Sequence, residues 1–186
     1  MNIFLLDTNP ELAAQYQCDK HVVKMILESA QLLCTCHHVI GTENLPNKFY
    51  RQTHVNHPCS IWVRQHANNY NWLAEHALNL CEEYTYRYNK IHASQNLIEW
   101  LLVNEPYIRS WFYKSNEVYP ANTFQFGQYW LTEPPQCMPD EYKSECPVVA
   151  YRNYYNKNKR HEISCKWTKR QIPEWWTNDE IIIEDV

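Results

Sequence analysis

Along residues 18–34, CDKHVVKMILESAQLLC, the apolar positions Val22, Val23, Ile26, Leu27, Ala30 and Leu33 fall on one side when wound at about 100° per residue. His21, Lys24 and Glu28 fall within about 60° of each other on the opposite side. The pattern predicts one long helix over 19–37. Before it, NIFLLD (2–7) reads as a short strand or extended start, and Thr8-Asn9-Pro10-Glu11 opens a short helix over 10–16 with proline in its first turn. Residues 41–56, with Gly41, Pro46 and several Asn, read as a loop. A second long helix begins in NHPCSIW (56–62), where Pro58 suits the first turn. Ile61, Trp62, Trp72, Leu73, Ala77, Leu80 and Tyr84 keep its period toward His92. SQNLIEWLLVN (94–104) predicts a third helix capped by Ser94, and CPVVAYRNYYNKNKRH (146–161) a fourth whose basic C-terminal end suits the helix dipole.

Residues 105–147 are rich in proline and aromatics and weak in period. They predict an ordered loop lying over the body, with a short helix near 107–114. CKWTKRQIPEWW closes the fold, and residues 175–186 form an acidic, frayed tail. No repeat and no linker divides the chain. The expected architecture is mainly α: one compact helical domain over 1–186, with a short N-terminal extended segment and a long aromatic-rich loop.

Composition narrows the chemistry. At 186 residues, 45% hydrophobic and 20% charged, the chain can bury a substantial core. No apolar run reaches membrane-span length and no leader pattern is present, so a cytoplasmic protein with no membrane partner is expected, in an infected host cell if the source is viral. The eight cysteines show no paired framework and read as buried thiols. Only two glycines, Gly41 and Gly127, exclude a glycine-rich phosphate loop or dinucleotide fingerprint. Fourteen Tyr, eight Trp and five Phe either stack on flat ligands such as bases or fill the core of a glycine-poor helical protein. Net charge is −4, which argues against a general duplex coat. Residues 151–170 nevertheless hold seven Lys/Arg against one Glu.

Four constellations could carry chemistry. The first is the His21/Lys24/Glu28 stripe with Asp19 and Lys20 at the helix start. A Glu among cations can activate water or stabilise a sugar cation. The plainer reading is a solvated face with a Lys24–Glu28 pair. The second is CTCHH (34–38), whose C-x-C spacing and lack of a second ligand pair speak against zinc, so no metal and no cofactor is expected. The third is HVNHPC (54–59), where Pro58 holds His57 extended, either as a ligand contact or as a cap. The fourth is the basic and aromatic run, in which Tyr151, Arg152, Tyr154 and Lys157 offer stacking and phosphate contacts.

MNIFLLD, ELAAQY and DKHVVKMILESAQLL, followed by NHP…W and EEYTYRY, resemble the phage pyrimidine-dimer DNA glycosylases of the endonuclease V type and their bacterial relatives. The resemblance covers roughly residues 1–90, with an echo in YRNYY. It implies a compact all-α fold that breaks the bond between base and sugar. The family's nucleophile is an N-terminal α-amine forming a Schiff base, supported by a Glu near the start of the first long helix. Two departures matter. Met1 precedes a bulky Asn2, so Met1 is expected to stay, with its amine out of position. Register on ELAAQY puts Val23 where the family's Glu would fall, leaving Asp19 and Glu28 as the nearest carboxylates. A glycosylase without the amine would use carboxylate-activated water and leave the sugar intact.

The reading favoured at this level is an enzyme cleaving the N-glycosidic bond of a nucleotide. Glu28, Asp19 and His21 are its candidate catalytic groups. Lys20, Lys24, His57, Tyr151, Arg152, Tyr154 and Lys157 are its candidate binding groups. The charge distribution leans to a small (cyclic) nucleotide such as a host-defence signal over duplex DNA. The alternatives are a pyrimidine-dimer DNA glycosylase in repair and a non-catalytic nucleotide sponge.

Overall fold

The computed structural model describes residues 1–108, 123–126, 129–177 and 181. The protein is mainly helical. Helix α1 (Pro10–Tyr16) starts where the Asn9 side chain accepts from the Glu11 and Leu12 amides, with Pro10 in the first turn. Helix α2 (Asp19–Ile40) runs one turn beyond its expected end and stops at Gly41, whose φ of 80° needs a residue without Cβ strain. The expected second long helix is two helices, α3 (Pro58–Gln65) and α4 (Ala67–Tyr88). His66 separates them with extended backbone (φ −152°, ψ 143°), and its ring accepts from the Asn68 amide at 3.0 Å. Helix α4 ends at Asn89 in the left-handed region, short of His92. Helix α5 (Gln95–Val103) follows, and then a hairpin that the sequence pattern did not predict, β1 (Thr123–Phe126) paired antiparallel with β2 (Tyr129–Thr132). Helix α6 (Pro147–Tyr154) continues through a π turn (Tyr155–Lys159) into the short α7 (Arg160–Glu162). The helix expected near 107–114 and most of the acidic tail lie outside the described residues.

Helices α1, α2, α3 and α5 pack around α4. The N-terminal segment threads through this core, with Ile3, Leu5 and Leu6 fully buried. It forms no ladder with another strand among the described residues, so side chains take its polar groups. Asn2 Oδ1 accepts from Ile3 N at 2.8 Å, and Leu6 O accepts from Arg152 Nε at 2.8 Å.

The later part of the chain is fastened over the helices. Asn68 Nδ2 and Asn69 Nδ2 donate to Trp130 O and Thr132 Oγ1, and Trp62 Nε1 donates to Thr132 O. In the tail, Ile181 exchanges two hydrogen bonds with the Asn153 side chain, both 2.9 Å. All eight cysteines are free thiols. Among the described residues no helix is long and apolar enough to cross a membrane.

Helix α2 does not divide as its stripe predicted. His21 is buried, while Val23 and Leu27 are exposed. The apolar arc facing the core is centred on Val22, Met25, Ile26, Ser29 and Leu33, and it is wide enough to take in His21. The solvent face carries Lys20, Val23, Lys24 and Leu27, with Glu28 at its edge.

Candidate active site

Glu28 sits on α2 where that helix meets the start of the chain. Its Oε2 accepts from the Asn2 backbone N–H at 3.0 Å and lies 3.8 Å from the Met1 α-amine. Its other oxygen, Oε1, is 3.2 Å from Lys24 Nζ. The carboxylate is only 13% exposed, so the amine and its partner sit at a half-buried edge. The chain start is held from the other side as well. Asn2 Nδ2 donates to Cys137 O at 2.9 Å, and the Tyr151 hydroxyl lies 2.7 Å from both Asn2 Oδ1 and Pro135 O, its one proton serving one of them at a time. The Met1 amine, which was not expected in position, lies beside a carboxylate. Val23, where the ELAAQY register seeks a carboxylate, points to solvent, and Glu28 is the carboxylate that meets the amine.

His57 caps α3, its Nδ1 accepting from Cys59 N–H at 3.2 Å. Burial pushes its pKa down, and the N-terminal ammonium and His54 push the same way against the opposing pull of Glu28. His57 thus shares the electrostatic neighbourhood of the amine, and its ring is neutral at physiological pH.

The other candidates are placed elsewhere. His21 is buried under the Phe4 ring (centroids 4.2 Å apart) and hydrogen-bonded to the Tyr155 hydroxyl. Burial, then Lys159 and Lys24, lower its pKa to about 3, so it stays neutral. Asp19 is engaged at the far end of α2, accepting from Arg87 Nη1 (3.0 Å), Thr168 N (3.0 Å) and Thr168 Oγ1 (2.7 Å). Arg152 is buried, donating to Leu6 O and pairing with Asp7 at 3.0 Å. Tyr151 is fully buried and Tyr154 nearly so, with Lys159 Nζ 4.6 Å over the Tyr154 ring. Lys20 and Lys157 are exposed. The structure therefore brings together Glu28 and Lys24 with Met1, places His57 within their electrostatic reach, and keeps Asp19, His21 and Arg152 in separate packing roles.

In CTCHH, Cys34 and Cys36 are buried thiols with pKa values pushed up to about 12 by burial. His37 Nε2 pairs with the Tyr70 hydroxyl, and His38 Nε2 with Tyr50 O. Three contributors escaped the sequence reading: Asn2, Cys137 and the positioning part of Tyr151. Each meets the site across more than a hundred residues of chain or by its backbone, which no local spacing reveals.

A family model described as pyrimidine dimer DNA glycosylase matches residues 1–96. No curated protein and no solved structure matches the chain. The matched span holds Met1, Lys24, Glu28 and His57, and it ends before Cys137 and Tyr151.

Proposed function

The chain belongs to the pyrimidine dimer DNA glycosylase family, and on that footing we propose that it cleaves the N-glycosidic bond of one pyrimidine of a dimer in DNA, the base staying joined to its dimer partner, with the Met1 α-amine as nucleophile and Glu28 as its partner carboxylate. One observation carries this reading: Glu28 Oε2 faces both the Met1 amine and the Asn2 amide. The neutral amine attacks C1′ of the deoxyribose. The C1′–N bond breaks and its electron pair leaves with the base; a proton lost from the nitrogen is returned to O4′ as the C1′–O4′ bond opens, which gives a protonated imine. Glu28 takes up the amine's proton and stabilises positive charge developing at C1′. Lys24 holds Oε1, which keeps Oε2 aimed at the amine. Lys20 and Lys24 on the exposed face of α2 contact the DNA backbone.

Met1 retention fits its packed side chain, 4% exposed. If Met1 is removed, the Asn2 nitrogen, which donates to Glu28 Oε2 at 3.0 Å in the intact chain, becomes the amine. The net charge of −4 supports a second reading, a small nucleotide in place of duplex DNA. The family favours DNA.

The test is borohydride trapping. Incubation with irradiated duplex and borohydride should give a covalent protein–DNA adduct mapping to the N-terminal residue, and undamaged duplex should give none. Glycosidic-bond cleavage in irradiated duplex, read as abasic sites at dimers, without trapping would replace the amine by carboxylate-activated water. Base release from small nucleotides alone would move the substrate away from DNA.

A further inference from the structure

Beside the amine lies a group of side chains that the glycosylase reading does not use. We propose that His57, Cys59 and Cys137 form a binding site for a thiophilic divalent cation, zinc by preference, which clips the segment bearing Cys137 to the start of α3. One donor atom from each residue lies within 4.8 Å of the other two. The Cys59 and Cys137 sulfurs are 3.5 Å apart. Tetrahedral zinc, with bonds of about 2.3 Å to sulfur and about 2.0 Å to nitrogen, spaces its donors by roughly 3.5–3.8 Å. The trio therefore needs small side-chain adjustments and no backbone rearrangement to close on an ion. Two sulfurs and one imidazole select zinc or another soft ion over magnesium or calcium.

The surroundings agree with this chemistry. Cys59 is buried while His57 and Cys137 are half-buried, so an ion can reach the site and is then shielded. Binding converts two thiols to thiolates and releases two protons, and the two negative charges balance the dication. Coordination through either ring nitrogen takes His57 away from the Cys59 amide, one capping hydrogen bond exchanged for a metal–nitrogen bond. Three protein donors leave a fourth position for water. Because Cys137 O also accepts from Asn2 Nδ2, the ion would steady the residue next to the amine.

The site stands apart from the glycosylase reading, since its readout is metal binding. Metal-stripped, reduced full-length protein is titrated with cobalt(II), and zinc content is measured on protein reloaded with zinc. The expected results are one metal per chain and a thiolate-to-cobalt charge-transfer band. Cys137→Ser should abolish the band, while Cys146→Ser, outside the trio, should keep it. His57→Asn retains a side chain able to cap α3 and should weaken binding by at least ~100-fold with helicity unchanged. It keeps the test decisive if Cys137→Ser does not fold. Absence of a band in the reduced wild type, a band that survives Cys137→Ser, or affinity unchanged in His57→Asn would each overturn the site. So would a Cys59–Cys137 disulfide in protein that binds no metal once reduced.

Discussion

Asp19 and Glu28 are both carboxylates of α2, nine residues and roughly 13 Å apart along its axis, and their partners separate their roles. Glu28 has the chain's amine and an exposed lysine. Glu28→Gln should stay folded and still bind irradiated duplex while turnover falls ~100- to 10,000-fold, the range for losing a group that moves a proton in the reaction. Turnover at the wild-type level would remove Glu28 from the chemistry. Asp19 instead faces the buried Arg87 guanidinium, which also reaches Glu83, Gln15 O and Gln17 O. Asp19→Asn should cost about 1–3 kcal/mol of stability in urea unfolding, because a buried charge loses one of several partners. Four buried histidines, His21, His37, His66 and His76, all have pKa values lowered by burial, and three of them are lowered furthest. His21 titrates near 3 and His37 and His76 near 4, each lowered chiefly by burial, whereas an unfolded imidazole titrates near 6.5. Above about pH 6.5 both states are neutral and these rings contribute nothing to the pH dependence. Below it the unfolded chain takes up protons that the folded chain refuses, so stability falls by up to ~1.4 kcal/mol per pH unit for each ring down to its folded pKa. Unfolding midpoints measured from pH 7.5 to 4.5 should drop steeply below 6.5, and a flat profile would contradict the neutral rings.

Among the elements, the turn between α3 and α4 is the instructive case. Apolar residues keep helical period through both helices, and neither glycine nor proline marks the break, so periodicity merges them. The break rests on the His66 backbone and on its ring capping Asn68. His66→Ala should lose about 1 kcal/mol by thermal unfolding, whereas His66→Asn, which retains a capping group, should lose less. Equal losses would mean that the cap is not what the ring contributes. Where punctuation exists, the sequence is legible: Asn9-Pro10 marks the start of α1 and Gly41 the end of α2. Residues 2–7 read as a short strand or an extended start, and they form no ladder among the described residues. Their backbone instead meets side chains from positions 2, 17 and 152, partners set by the fold and not by neighbours in sequence. The same division runs through the site. Glu28, Lys24 and His57 stand out by residue type and position on a helix face or cap. The amine's placement and Cys137 do not, because contacts made across most of the chain bring them there.

For the whole molecule, the match ends at residue 96, yet the later residues are built into the earlier ones. Arg152 pairs with Asp7, Arg170 with Glu83, Thr168 with Asp19, and Trp167 Nε1 donates to Tyr16 O. A chain of residues 1–96 alone would expose the core surface covered by Leu131, Val148, Tyr151 and Tyr155. It should lack a cooperative unfolding transition by circular dichroism, and two-state melting of that fragment would show that the matched region stands by itself. Asn2 is among the first of these residues to be synthesised, and the side chain that braces it belongs to Tyr151. On the ribosome the chain start therefore lacks this brace until residue 151 has emerged, and the contacts around the amine are completed near the end of translation although the amine itself is made at the beginning.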